Sequence, residues 1–285
     1  MTPDHSALIA LAALLGLLIG SFLNVVILRL PPWLEEGWQR EACELLEQSP
    51  PPHTAATLAF PASHCPQCLH PLKWWHNMPV LSFILLRGQC AFCHSRISWQ
   101  YPAVELINAL WWAYCMSQSN GDWVQALWWA VWGSVLMTLA WIDARTMLLP
   151  DVMTLPLLWA ALALAAAGFT PVSGSQAIWG AVLGYGLLWL PAQIYAWITG
   201  RIGMAPGDFK LLAAIGASLG PVQLPITLLL ASGLGLIFAA TQTSRQRRQV
   251  TSDDAHQAIP FGPALVAAAI LQHLSPSFFA LEWLR

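Results

Sequence analysis

The sequence predicts an all-α membrane protein of about eight transmembrane helices, with a cytoplasmic four-cysteine zinc module between the first and second. Hydrophobic residues make up 57% of the 285 residues and charged residues only 9%, whereas soluble domains carry about a quarter charged residues. Seven apolar stretches approach or reach the roughly 20 residues that a spanning helix needs, and an eighth is shorter. Four cysteines form two C-x-x-C pairs in the one long polar loop. This composition excludes a soluble domain.

The apolar stretches of spanning length lie at about 6–28, 102–118, 123–142, 152–169, 176–199, 224–241 and 260–281. The eighth, at about 210–222, is interrupted by Gly216, Gly220 and Pro221. It therefore predicts either a short or tilted helix or a re-entrant segment that lines a cavity. The first stretch has no basic residues before it and no small-x-small cleavage site, so it predicts a retained helix.

The distribution of basic residues predicts the orientation. With eight spans and the N-terminus outside, the loops at 29–101, 143–151, 200–210 and 242–259 are cytoplasmic and hold eleven of the twelve basic residues, leaving only Arg285 outside. The eleven are Arg29, Arg40, Lys73, Arg87, Arg96, Arg145, Arg201, Lys210, Arg245, Arg247 and Arg248. The positive-inside rule favours this topology.

Three regions are predicted along the chain: a first transmembrane helix at 1–30, a cytoplasmic loop at 31–101 and a multi-helix membrane domain at 102–285. Within the loop, Trp33–Gln48 predicts a short surface helix that ends before a run of prolines, and 63–98 forms the cysteine module. The polar stretch at Thr241–Gln257 predicts a flexible linker.

The cysteine module predicts a structural metal site. Its two C-x-x-C pairs are separated by 21 residues, a pattern typical of tetrahedral zinc. They are Cys65 with Cys68 and Cys90 with Cys93. Four thiolates leave no open coordination position, so the predicted Zn²⁺ is structural and not catalytic. Two disulfides are the alternative, which the reducing cytoplasm disfavours.

Two aspartates, Asp143 and Asp208, stand where apolar stretches meet short polar loops on the predicted cytoplasmic side. A carboxylate at hydrocarbon depth costs roughly 2.5 to 3.5 kcal/mol, which makes it a candidate functional group. Two such groups in proximity can share one proton and act as an aspartic peptidase pair. The alternatives are an inert contact between Asp143 and Arg145, and an N-cap role for Asp208. Asp151 is predicted to cap the helix from 152.

The sequence resembles the bacterial type IV prepilin peptidases, the membrane aspartic peptidases of family A24 that act as leader peptidase and N-methyltransferase. The matching motifs run in family order along nearly the whole chain. The first motif is Gly20–Ile27 with Arg29-Leu30-Pro31. The second is the cysteine module, with Trp74, Asn77, Pro79, Leu86-Arg87-Gly88, Ile97-Ser98, Tyr101-Pro102 and Glu105. The others are Trp141-Ile142-Asp143 with Leu149-Pro150-Asp151, then Gly207–Leu212, and then Ile259–Pro263.

This resemblance implies that Asp143 and Asp208 are the catalytic pair and that the substrates are prepilins or pseudopilins with a short basic leader. It places the protein in the bacterial inner membrane, surrounded by lipid, with its active site facing the cytoplasm. Family members of this longer form also methylate the new N-terminus with S-adenosylmethionine, for which Glu105 and Lys73 are candidate contributors. No nucleic-acid partner is expected. Roles in type IV pili and in type II secretion both stay open, as does the oligomeric state.

One position departs from the family pattern. The second aspartate usually follows G-x-G, whereas here the sequence reads Ala205-Pro206-Gly207-Asp208. Alanine has little access to positive φ, and Pro206 biases Ala205 towards an extended conformation, so a stiffer loop is expected. Gly207 predicts a close backbone approach. The departure motivates an alternative function, a non-catalytic assembly component of a pilus or secretion machine. A proton-coupled transporter is a further alternative, but no related halves are found.

Overall fold

The computed structural model describes residues 3–50, 52, 55–119, 121–246 and 260–275. Within these residues the secondary structure is helical, apart from two isolated β-bridges in the cysteine module. The α-helices are α1 Pro3–Leu45, α2 Leu81–Leu85, α3 Gln100–Gln118, α4 Trp123–Thr146, α5 Asp151–Ala166, α6 Gly174–Thr199, α7 Pro206–Leu219, α8 Leu224–Gln246 and α9 Gly262–Leu274. The predicted all-α membrane class is confirmed.

Each of the eight apolar stretches contains a helix in its described part. Four helical segments in the described chain are long and apolar enough to cross a membrane, namely α1, α4, α6 and the segment Pro221–Phe238 that includes most of α8. The apolar helices α5 and α9 are shorter. The protein is therefore a multi-pass membrane protein, and the number of eight spans stays a prediction. Residues 247–259, most of the linker predicted at Thr241–Gln257, lie outside the described chain.

The chain divides into two compact units, Met1–Ser134 and Val135–Arg285, and the division falls inside α4. This division reflects packing and not position in the membrane. The predicted boundaries at residues 30 and 101 therefore stay predictions.

In the first unit, α1 packs closely against α3 through a G-x-x-x-G pair. A Cβ atom added at Gly16 would lie 2.8 Å from the Cα of Ala109, and one at Gly20 would lie 2.7 Å from the Cα of Glu105. Asn108 Nδ2 donates a hydrogen bond of 2.7 Å to the carbonyl oxygen of Gly16. Small residues at such spacing let two backbones approach in a membrane. This contact therefore fixes which part of α1 lies next to Glu105 of α3.

Helix α1 continues through Pro31 and Pro32 to Leu45, so the separate surface helix predicted over Trp33–Gln48 is the last part of α1. Proline removes a backbone hydrogen bond from a helix interior, but its fixed φ is itself helical. The buried Glu36 ties this part of α1 to the following loop, because its Oε2 accepts a hydrogen bond of 2.7 Å from the backbone N–H of Ala55.

In the second unit, α7 packs against α6 through another G-x-x-x-G pair, Gly180 and Gly184. A Cβ atom at Gly184 would lie 2.5 Å from the carbonyl oxygen of Leu212. Gly180 and Gly216 face each other so closely that a Cβ atom on either would overlap the carbonyl oxygen of the other. Helix α7 has 14 residues, most of them buried, and is only about 21 Å long. The stretch 210–222 is thus a short helix for most of its length, and both alternatives for how it lies in the membrane stay predictions.

Candidate active site and metal centre

Asp143 lies in the last turns of α4 and is almost fully buried, with 4% of its surface exposed. Its Oδ2 accepts a hydrogen bond of 3.0 Å from the backbone N–H of Gly262. Gly262 is the first residue of α9, and the N-terminus of a helix favours a nearby negative charge. The start of α9 therefore fixes and stabilises the Asp143 carboxylate. Gly262 belongs to the family motif Ile259–Pro263, for which the sequence predicted no role.

Position 262 has no room for a side chain, since a Cβ atom there would lie 2.6 Å from Asp143 Oδ2. We expect Gly262→Ala to lower the rate of substrate cleavage by about 10²-fold, because displacement of a catalytic group by about 1 Å has costs of that order. The measurement is the cleavage rate of purified protein. Gly235→Ala in α8 is the matched control, since its Cβ atom would make only ordinary contacts from 3.7 Å. Equal rates for both variants would contradict this role of Gly262.

Asp208 is the third residue of α7 and is also buried, with 7% of its surface exposed. The helix begins at Pro206, and Ala205 occupies the N-cap position. The alternative that Asp208 is an N-cap is therefore wrong. A Cβ atom at Gly207 would lie 2.8 Å from the Cβ of Leu149, which confirms the close approach predicted there.

Ala205 adopts φ −74° and ψ 142°, an extended conformation that alanine readily takes. The position does not use the positive φ that glycine alone favours. Its carbonyl oxygen accepts a hydrogen bond of 3.2 Å from the backbone N–H of Asp208. The replacement of the family glycine is therefore compatible with the loop that presents Asp208.

Asp143 and Asp208 both lie in the second unit and interact electrostatically. They lie close enough for the charge of Asp143 to act on Asp208, and both are buried. Two carboxyl groups so placed cannot both ionise freely, so one tends to hold a proton while the other is charged. The arrangement can therefore offer a proton acceptor and a proton donor in one site.

Asp151 forms an ion pair beside this site. It is the first residue of α5, with Pro150 at the N-cap position, so its predicted role as N-cap is wrong by one residue. Lys210 Nζ donates to its two carboxylate oxygens at 2.8 and 2.6 Å. Lys210 follows Asp208 by two residues, and the contact therefore ties the first turn of α7 to the start of α5.

The four module cysteines form a cluster. Their sulfur atoms all lie within 4.8 Å of one another, and the Sγ atoms of Cys65 and Cys93 are 3.8 Å apart. A zinc tetrahedron with Zn–S bonds of about 2.3 Å has edges of about 3.8 Å. All four cysteines are free thiols and not disulfides. The cluster is thus positioned to bind a metal ion.

The two C-x-x-C pairs are built alike. The backbone N–H groups of Leu69 and His94 donate to the carbonyl oxygens of Cys65 and Cys90, and both residues have φ near +55°. Each pair therefore ends in the same tight turn. The backbone N–H of Cys68 hydrogen-bonds the Cys65 sulfur and is the main cause that lowers the pKa of this thiol to about 6, which favours the thiolate that a metal requires.

Comparison with known proteins agrees with this geometry. Residues 14–119 match the bacterial peptidase A24 N-terminal domain, and residues 130–240 match the type IV leader peptidase family. A prepilin leader peptidase/N-methyltransferase of Pseudomonas putida is 44% identical over 276 residues, which are 94% of this chain and 91% of that protein. One of Neisseria gonorrhoeae is 41% identical over 263 residues, 91% of this chain and 88% of that protein. No solved structure matches.

The chain belongs to the type IV leader peptidase family.

In this family member the first unit contains a cavity of about 690 Å³ next to the cysteine cluster. Glu105, predicted as a methyl-donor contributor, lines it. Lys73, predicted with it, does not line this cavity, and its ammonium group lies 5.0 Å from the ring centre of Trp75. The carboxylate of Glu105 suits the positive charge of a cofactor such as S-adenosylmethionine.

For a structural zinc ion, we expect Cys68→Ser to lower the bound zinc per chain strongly, because one of four ligands is lost and zinc binding is coupled to folding of the module. Zinc content measured on purified protein tests this. Cys43→Ser, outside the cluster, is the matched control.

We expect substrate cleavage to depend on zinc less than methylation does. Loss of all cleavage on chelation, in a protein that stays folded, would contradict this last expectation.

Proposed function

We propose that this protein cleaves the short basic leader of type IV prepilins or pseudopilins as an aspartic endopeptidase, with Asp143 and Asp208 as its catalytic pair. It then methylates the new N-terminus. The observation that supports the proposal is that these two carboxyl groups are both buried and interact electrostatically, in a chain of the leader peptidase family. The relatives that it resembles are named for both activities.

The chemistry follows from the pair. The ionised carboxylate takes a proton from the attacking water as general base, and the protonated carboxyl donates to the scissile carbonyl as its oxygen becomes negative. No covalent intermediate is needed. The hydrogen bond from Gly262 holds Asp143 in place. Roles are assigned to the pair and not to either residue, since two interacting carboxyls titrate as a unit.

The substrate is expected to leave its basic leader in the cytoplasm and its apolar stem in the inner membrane. Asp143 lies near the end of a helix long and apolar enough to span a membrane, which supports a site at the level where such a leader would meet the bilayer. The basic residues predicted for the same side support this orientation. Cleavage at the cytoplasmic membrane face is therefore consistent with the site.

The methylation half depends on the first unit. S-adenosylmethionine supplies an activated methyl group, and Glu105, which lines the cavity, would hold its cationic part. Zn²⁺ bound to Cys65, Cys68, Cys90 and Cys93 would stabilise the loop that forms one wall of the cavity. We assign the metal this structural role because four thiolates complete its coordination.

The test is cleavage of a purified prepilin, leader and apolar stem together, by the purified protein in detergent or nanodiscs. Mass spectrometry of the product reports leader removal and, after addition of S-adenosylmethionine, the mass of a methyl group. A folded wild-type protein that cleaves nothing would overturn the proposal and favour the assembly-component alternative. The extended conformation of Ala205 removes the structural reason for that alternative.

A further inference from the structure

A short connection follows Asp143 along the chain. Helix α4 ends at Thr146 and α5 begins at Asp151, so the α4–α5 connection consists of residues 147–150. The backbone N–H of Met147 donates a hydrogen bond of 2.9 Å to the carbonyl oxygen of Asp143. Met147 has a φ of +54°, and a left-handed residue at this point ends a helix with a sharp turn. The first residue of the connection is therefore bonded to the backbone of Asp143.

The connection contacts α7 at the residue before Asp208. Leu149 is buried, and its Cβ atom would lie 2.8 Å from a Cβ atom added at Gly207. Only a residue without a side chain lets the two segments come so close. The packing of Leu149 on Gly207 therefore fixes the position of the backbone that leads into Asp208.

A second contact with α7 lies two residues after Asp208. Helix α5 packs against α7, and at their starts Lys210 Nζ donates to both carboxylate oxygens of Asp151, at 2.8 and 2.6 Å. The Lys210 and Asp151 side chains are 30% and 51% exposed. Partly exposed ion pairs add little to the free energy of unfolding, but two charge-assisted hydrogen bonds restrict the distance and direction between the two groups. This pair is therefore better suited to hold a geometry than to stabilise the fold.

The exposed carboxylate of Asp151 has an alternative role, which is to bind the basic leader of the substrate. Both of its oxygens already accept hydrogen bonds from Lys210. A leader cation would have to compete with an ammonium group that the fold holds in place. The ion pair thus favours a role within the protein over a role in substrate binding.

We propose that Lys210 and Asp151 are positioning residues for the catalytic pair. Their ion pair joins the starts of α5 and α7 and, with the packing of the α4–α5 connection, sets the spacing of Asp208 from Asp143 that cleavage requires. The two contacts with α7 lie on either side of Asp208 in the sequence, and both start from the connection that is bonded to Asp143. This inference rests on the peptidase half of the proposed function.

The test measures single-turnover cleavage of a purified prepilin by an excess of the full-length protein in nanodiscs. Lys210→Met keeps a long unbranched side chain and removes the ion pair. We expect its rate constant at saturating enzyme to fall at least about tenfold, because displacement of a catalytic group by about 1 Å costs of the order of 10²-fold. The half-saturating enzyme concentration should stay unchanged. Arg201→Met, which removes a positive charge from an exposed residue between α6 and α7, is the matched control and should cleave at the wild-type rate.

An exchange of the two charges separates positioning from stability. Asp151→Lys and Lys210→Glu each bring two like charges together, and each should slow cleavage. The double variant restores an opposite pair with the same net charge, and it should regain most of the lost rate. The rate constant at saturating enzyme does not depend on the fraction of folded molecules. A contact that only stabilises the fold would therefore change the thermal unfolding temperature and leave this rate constant unchanged.

Three results would overturn the positioning role. The first is a wild-type rate constant for Lys210→Met. The second is a higher half-saturating enzyme concentration with an unchanged rate constant, which would assign the pair to substrate binding. The third is a double variant as slow as the slower single variant. Absence of cleavage by the folded wild type is a different result, because it would overturn the peptidase half and this inference with it.

Discussion

Replacing either Asp143 or Asp208 by asparagine is expected to lower the rate constant for prepilin cleavage by at least about 10³-fold. General acid–base catalysis by positioned side chains typically contributes 10²- to 10⁴-fold, and each substitution removes one of the two groups. Asparagine has nearly the same volume as aspartate but neither takes nor gives a proton at neutral pH. The comparison is made with single-turnover cleavage of the same prepilin.

The fold should survive these changes. The amide oxygen of an asparagine at 143 can still accept the hydrogen bond that Gly262 donates. Neither variant buries a new charge, and each removes a desolvated carboxyl. Loss of activity with unchanged thermal stability would therefore report on the chemistry and not on folding.

The control and the double variant sharpen this test. Asp122→Asn changes an aspartate whose Oδ1 accepts a hydrogen bond from the Gln125 N–H near the start of α4, and asparagine can replace it there. Its cleavage rate should equal that of the wild type. Because residues that act as a unit are strongly non-additive, the variant lacking both aspartates should be little slower than either single variant. Substantial cleavage by Asp208→Asn would remove it from the catalytic pair.

The second large effect is expected at the crossing of α6 and α7. Gly180→Ala places a Cβ atom against the backbone carbonyl of Gly216, and a backbone can move only if the helix moves. Overpacking typically costs 1 to 3 kcal/mol, and we expect about 3 kcal/mol here because the neighbouring atoms are main chain. Cleavage should fall as well, since Asp208 stands in the first turn of the displaced helix. Thermal unfolding in nanodiscs and the cleavage rate are the two measurements.

Helix α6 supplies its own control. Gly186 has no atom within 4 Å of an added Cβ, so Gly186→Ala introduces the same methyl group in the same helix without a contact. This change should leave stability unchanged or raise it, because alanine favours helix over glycine. Equal stability of the two alanine variants would show that the close approach of α6 and α7 does not depend on Gly180.

Much of the fold could be predicted from the sequence because membrane solvation leaves a strong local signal. Long apolar stretches must be helical where no water can hydrogen-bond the backbone, and each predicted stretch contains a helix. The cysteine spacing was likewise informative, since metal geometry constrains it. The assignment of Asp143 and Asp208 needed the family motifs, and the structure adds that both carboxyls are buried and interact electrostatically.

The contacts that position the site could not be predicted in the same way. The hydrogen bond between Gly262 and Asp143 joins residues 119 positions apart, and no local pattern encodes such a contact. The G-x-x-x-G pairs that begin at Gly16 and Gly180 are visible in the sequence and could have been recognised as helix-packing motifs. Their partner helices could not have been named from it. The prediction for Asp151 failed by one residue, a common error for helix ends.

Ala205 has a consequence for the unfolded chain. Its extended conformation in the folded protein is open to both alanine and glycine, but an unfolded glycine samples many more backbone conformations. Where the native φ and ψ suit both residues, the change from glycine to alanine stabilises a protein by about 0.4 to 1 kcal/mol. The residue that departs from the family pattern thus lowers the entropy lost when the loop before Asp208 becomes ordered. Ala205→Gly should accordingly lower the unfolding temperature slightly while leaving the folded loop unchanged.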